Sequence, residues 1–310
     1  MFSVIFPGQG SQMVGMGKEF YDKFDLVKNL FKEADDTLNF PISKLILEGP
    51  KGELDLTVNT QPAIFLVSFS IFQLIKKDFG VDLNKASYFA GHSLGEYTAL
   101  ACAKVLGFSE SLNLLKIRGK SMQEAVPNGK GGMVAVLGSN PDQIEKIINE
   151  NNKNYECYIA NDNSNGQQVI SGKMEDLDLF MDDLKKNSIK SIKLPVSAPF
   201  HCKLMNNATK IMQNEIQKSD FKNPINTLIS NVTNQEIKDS SMLKELLIKQ
   251  IESKVRWREN VNLMIEKGTQ KFIEIGPGKV LSGLIKRIDK NAITNSINSE
   301  EDIKKINIDD

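Results

Sequence analysis

The sequence predicts an α/β fold in which a larger domain with a parallel sheet carries a small inserted subdomain. Three observations lead to it. The apolar run Tyr88-Phe89-Ala90 turns at Gly91-His92-Ser93-Leu94-Gly95 into a helical pattern from Leu94 to Ala101, a strand-turn-helix unit. Between residues 129 and 196 the elements read β-α-β-β-α-β, the ferredoxin-like order. Beyond residue 197 strands and helices alternate again. The expected division is 1–128 with 197–310 for the larger domain and 129–196 for the insertion. An insertion of this kind roofs a cleft, because domain junctions make natural binding sites.

In chain order, Ser3 to Phe6 reads as a first strand, followed by the glycine-rich loop Pro7-Gly8-Gln9-Gly10-Ser11-Gln12 and an amphipathic stretch from 17 to 35. On local evidence that loop is an ordinary strand-to-helix turn. A long helix is expected from an N-cap at Thr60, with Pro62 in its first turn and Gly80 near its end. Its apolar part, Ala63 to Ile75, reads as buried, too short and too polar to span a bilayer. Ser109 is the expected cap of the next helix, in which Arg118 reads locally as a solvated residue. The insertion is read as strand 133–137, helix 141–150, strands 157–161 and 168–171 joined through Asn163-Ser164-Asn165-Gly166, helix 174–186 and strand 189–196. Then follow the loop Ser197 to Cys202, a helix from about Leu204, strand 227–232, helices near 242–251 and 259–266, strand 272–275 and helix 280–288. Gly276-Pro277-Gly278 is read as ending a strand, and the polar tail after Asp289 as frayed.

Lysine and arginine number 39, as do aspartate and glutamate, so no net charge draws the chain to nucleic acid or anionic lipid. Three scattered cysteines with no C-x-x-C point to a reducing compartment and away from a metal site. The N-terminus has no basic region and its apolar run is cut at Pro7, so it reads as a strand and not a signal peptide.

Gly91-His92-Ser93-Leu94-Gly95 fits the G-x-S-x-G nucleophile elbow, which exposes a serine hydroxyl on a strained turn and sets the N–H of Leu94 at a helix start, where an oxyanion is favoured. A serine needs a base, and the chain has two histidines, His92 and His201. Adjacent side chains diverge on so tight a turn, so His92 should pack beside the site. That leaves His201, 108 residues on (201 minus 93), as the base. Cys202 has no elbow and no second histidine to serve it. No acid between Ser93 and His201 stands out as a third member, because Asp162, Asp176, Asp182 and Asp183 belong to the insertion.

Read together, Phe6 to Gln12, Gly91 to Tyr97, Arg118-Gly119, Met122-Gln123, Ala198 to His201 and Glu274 to Gly278 resemble the malonyl-CoA:acyl carrier protein transacylases of type II fatty acid synthesis. The resemblance runs in a fixed order from the first strand to about Ile288. It implies an α/β-hydrolase-like large domain with the ferredoxin-like insertion, acylation of Ser93 by malonyl-CoA, and proton shuttling by His201. It further implies an oxyanion hole from the backbone N–H groups of Gln9 and Leu94, a main-chain carbonyl of Gln250 orienting the histidine, and a bidentate pair between Arg118 and the malonyl carboxylate. His92 and Phe200 would line the substrate pocket, Phe200 favouring malonyl over bulkier methylmalonyl. The partners implied are malonyl-CoA and phosphopantetheinylated acyl carrier protein, with no resident cofactor or metal, no nucleic acid and no membrane. A cytoplasmic monomer is expected.

Overall fold

The computed structural model describes residues 1–196 and 198–308; Ser197, at the expected domain junction, and Asp309 and Asp310 lie outside the described residues. Among the described residues ten strands make two sheets: β1 (Phe2–Phe6), β2 (Tyr88–Gly91), β3 (Gly131–Leu137), β4 (Cys157–Ser164), β5 (Gln167–Lys173), β6 (Lys190–Lys193), β7 (Leu228–Ile229), β8 (Glu236–Ile237), β9 (Lys271–Ile275) and β10 (Ile293–Ile297). The first sheet runs β10-β9-β1-β2-β7-β8 and is parallel except for its last pair. Helices cover both of its faces, which is why β1 and β2 read as unbroken apolar runs and are buried from end to end. Ile5, Ala90 and Phe272 pack with Trp257, Val261 and Leu281. Their alternates Val4, Phe6, Phe89 and Ile273 pack with Phe65, Leu66 and Phe72 of the helix Thr57–Lys77.

The second sheet is antiparallel, in the order β4-β5-β3-β6. Its side chains alternate along β3 and β5, while β4 is interrupted by irregularities at Ile159/Asn161 and Asp162/Ser164. Val134, Val136 and Ile170 face the helices Pro141–Glu150 and Met174–Lys186, meeting Ile144, Leu177, Phe180 and Leu184. Met133, Ala160 and Val169 face the other way and join the core of the large layer. The sheet is fastened there by Asp162, fully buried, which accepts bidentate bonds from Arg258 at 2.8 to 3.1 Å.

Several elements differ from the sequence expectation. The helix Thr57–Lys77 starts three residues before Thr60, because Thr60 Oγ1 donates to the Leu54 carbonyl at 2.6 Å and Asn59 Nδ2 to that of Glu53 at 2.8 Å, tying down the preceding turn; Pro62 therefore lies inside. At 21 residues it is long and apolar enough to cross a bilayer by length and composition, contrary to expectation, yet it is packed inside the protein. Gly107, not Ser109, caps the helix Phe108–Gln123, and Ser109 Oγ donates instead to Glu33 at 3.1 Å. The amphipathic stretch 17–35 breaks at Phe24 into helices Lys18–Lys23 and Asp25–Leu38. β4 and β5 extend to a turn at Asn165-Gly166, shorter than the expected link, whereas β6 and β7 stop early. The described part of the tail is structured: β10 takes its ladder from β9, Ile297 and Ile303 are buried, and Ser299 and Asp302 form a capping box for the helix Glu300–Lys304.

Candidate active site

The carboxyl ends of β1, β2 and β7 open onto one place, the usual position of a site in an open α/β sheet. β2 ends at Gly91, the helix Leu94–Cys102 begins at Leu94, and Ser93 between them holds φ 53° and ψ −107°. Such a conformation costs a non-glycine residue about 1–3 kcal/mol and persists only where neighbours fix it. The flanking glycines follow from the tightness of the crossing. A Cβ at Gly91 would lie 1.9 Å from the Gly95 carbonyl oxygen, and one at Gly95 would lie 2.3 Å from that of Phe6.

His201 arrives on the loop after β6, itself at φ 59°, with the neighbouring Phe200 carbonyl accepting from Ser171 Oγ at 2.5 Å. Its Nδ1 lies 2.8 Å from the Gln250 carbonyl, which can only accept, so Nδ1 carries the proton. Nε2, thereby an acceptor, lies 2.8 Å from Ser93 Oγ. Burial, and then the charge of Arg118, pull the imidazole down to about 3, so the ring is neutral at pH 7. Arg118, 1% exposed, donates Nη2 to Ser93 Oγ at 3.1 Å and to Gln250 Oε1 at 2.9 Å, and Nη1 to Gln61 Oε1 at 2.7 Å. Among the described residues no carboxylate pairs directly with it. Glu96 stands one step behind, accepting from Gln250 Nε2 at 2.6 Å, and burial raises its carboxyl to about 7. The hydroxyl is therefore polarised from both sides, with a cation donating to it and a neutral imidazole ready for its proton.

The acyl transferase domain family matches residues 3–306. The chain belongs to the acyl transferase domain family. A malonyl CoA-acyl carrier protein transacylase of Bacillus subtilis is 41% identical over 97% of this chain and 94% of its own. An acyl-carrier-protein S-malonyltransferase structure from Bartonella henselae superposes with a TM-score of 0.95 at 38% identity, covering 98% of this chain and 97% of that one. A further structure, of a type II polyketide synthase acyl-carrier protein in complex with its malonyl-transacylase, matches with a TM-score of 0.94 at 36% identity over 98% and 97% of the two chains.

In this acyltransferase, Gln9, His92, Ser93, Leu94, Arg118, Phe200 and His201 all line one cavity of about 100 Å³, closed above by Met133, Leu194 and Val196 from the small unit. The local expectation of a solvated Arg118 is overturned: the helix Phe108–Gln123 packs on Thr57–Lys77 and buries it. The Gln9 loop faces the nucleophile as well. His92 lies in the wall, but its Nε2 meets Asn163 Oδ1 of β4 at 2.8 Å, which ties the elbow to the roof. Cys202 is buried, its Sγ on the Pro199 carbonyl at 3.0 Å, and burial pushes its thiol up to about 12. Glu274, fully buried, caps the helix Val280–Ile288 through the N–H groups of Leu281 and Ser282 at 3.0 and 2.8 Å, so that segment is structural. Among the described residues no group of three metal-ligating side chains gathers. Sequence reasoning missed Gln61, Glu96, Asn231 and the side chain of Gln250, since a polar residue in a helix or at a strand end carries no mark of the partner it will meet.

Proposed function

We propose that this chain transfers a malonyl group from malonyl-CoA to the phosphopantetheine thiol of acyl carrier protein through a malonyl ester on Ser93. One observation carries the choice of acyl group. Arg118 is a buried cation 3.1 Å from the nucleophile whose other partners, two amides and the Tyr97 ring, carry no negative charge, and a charge so placed favours an anion. The malonyl carboxylate lies two carbon-carbon bonds from the carbonyl under attack, which suits that reach. The names of the relatives and the acyl-carrier-protein complex support the same donor and acceptor.

Ser93 Oγ attacks the thioester carbonyl while its proton passes to His201 Nε2. The N–H groups of Gln9 and Leu94 hold the resulting oxyanion, each such donor contributing about 3 kcal/mol. Collapse breaks the carbon-sulfur bond, and His201 returns the proton to the departing CoA thiolate. The carrier thiol then gives its proton to His201 and attacks the malonyl ester; the ester carbon-oxygen bond breaks and His201 returns the proton to Ser93 Oγ, restoring the free enzyme. When the acyl carboxylate neutralises Arg118, the cation no longer opposes a proton on His201, so the correct substrate makes the base stronger. Phe200 and His92 bound the acyl pocket, and the Gln250 carbonyl keeps His201 in its tautomer. The division into an α/β-hydrolase-like domain (1–128 and 197–310) and a ferredoxin-like insertion (129–196) belongs to this reading, as do a monomeric state and a cytoplasmic location.

Intact-mass measurement after mixing with malonyl-CoA or acetyl-CoA tests it. A malonyl adduct should form and Ser93→Ala should abolish it. Arg118→Ala should slow malonyl loading about 100- to 1,000-fold and spare acetyl loading. An adduct that survives Ser93→Ala, or equal loss of both acyl groups in Arg118→Ala, overturns the reading.

A further inference from the structure

Ser93 keeps its unfavourable backbone angles in a place where the sheet has already stopped. β7 is only two residues long and pairs with β2 at Phe89 and Leu228, so the ladder beside β2 ends before the elbow. Two residues past β7, the side chain of Asn231 takes over. Its Nδ2 donates to the Gly91 carbonyl at 2.8 Å and its Oδ1 accepts from the Ser93 N–H at 2.8 Å. Those are the two bonds that one residue of a parallel strand makes to the residues on either side of its partner, here His92. Asn231 is fully buried, and its own backbone is held, its N–H 3.4 Å from Glu96 Oε1 and its carbonyl accepting from the Arg256 N–H at 3.1 Å.

We propose that Asn231 is a positioning residue for acyl transfer, its carboxamide acting as a surrogate strand that fixes Ser93 between Gly91 and the helix Leu94–Cys102. This rests on Ser93 being the nucleophile. The carbonyl of Ser93 has two donors of its own, Gln250 Nε2 at 3.0 Å and the Glu96 N–H at 3.1 Å, but among the described residues its N–H has the Asn231 bond alone. Without that bond φ at Ser93 is free to relax. Oγ then leaves His201 Nε2, and the next N–H, that of Leu94, swings off the oxyanion.

The test is single-turnover acylation followed by intact mass, with malonyl-CoA and separately with a fluorophosphonate, which needs a reactive serine but not Arg118. The end-point adduct counts folded sites. Asn231→Leu, or Asn231→Ala where the leucine variant does not fold, should slow both reagents about 10- to 100-fold. The half-saturating malonyl-CoA concentration should stay unchanged, since Arg118 keeps Gln61 and Gln250. Asn231→Asp retains the acceptor for Ser93 and should regain rate over Asn231→Leu as pH falls, when the protonated carboxyl can donate to the Gly91 carbonyl. Wild-type rates per folded site, or an aspartate variant with no such pH dependence, overturn the proposal. A wild-type chain that takes the fluorophosphonate but no malonyl overturns the transfer reading instead and leaves this comparison valid.

Discussion

Beneath the cavity, Ser93 and His201 both hold positive φ angles, and Glu96, Arg118, Asn231 and Gln250 are buried together. Above it, the β3–β6 unit is an antiparallel sheet backed by two amphipathic helices, with Val134, Ile144, Leu177 and Phe180 as its own core. The floor carries strain and charge offset by hydrogen bonds. The roof holds its buried carboxylate, Asp162, in a closed pair with Arg258, and offers the cavity the apolar Met133, Leu194 and Val196 with Asn161 as a polar neighbour. The difference teaches that reactivity here depends on a polar network which cannot relax, while the covering layer need only keep its shape.

The largest effect should come from the floor. His201→Ala is expected to lower kcat about 10,000-fold with the melting temperature nearly unchanged, measured by carrier-protein loading and thermal unfolding. The roof should answer the opposite way. Leu177→Ala, in a fully buried position, should cost about 2–5 kcal/mol of stability in denaturant titration yet leave kcat per folded molecule intact. A parallel loss of activity would show that the roof takes part in the chemistry and would break the comparison. The smallest effect is a pH slope within the floor. His201 is depressed, so its contribution to stability falls as pH drops from 6.5 toward 3; Glu96 is raised, so its contribution is full below 4.5 and lost as pH rises through about 7. The two oppose each other between pH 4.5 and 6.5. Glu96→Gln removes one of them, and its melting temperature should climb with pH more steeply than that of the wild type in this window. Parallel curves would mean that Glu96 titrates normally.

The same contrast governs what could be read from the chain. Helices Pro141–Glu150 and Met174–Lys186 were legible to the residue, because a cap or a turn and a single apolar stripe define each locally. The elbow was legible too, since its glycines announce a backbone crossing. Thr60 does not act as the cap its local pattern suggests, because the carbonyl it serves, Leu54, ends a short helix the sequence does not announce, and the local pattern alone leaves Arg118 solvated, because only packing between two helices buries it. The tail was read as frayed because its few isoleucines are too sparse to show a period, and β10 exists through the edge that β9 lends it. Asn231 gave no sign at all, for its role arises 140 residues from Gly91.

Cys102, Cys157 and Cys202 are all buried, and burial raises every one of their thiols, those of Cys157 and Cys202 to about 12. Exchange with a disulfide needs a thiolate in reach of solvent. An enzyme through which CoA and pantetheine sulfhydryls pass at every turnover thus has no sulfur of its own for their oxidised forms to capture, even with Cys202 next in the chain to His201.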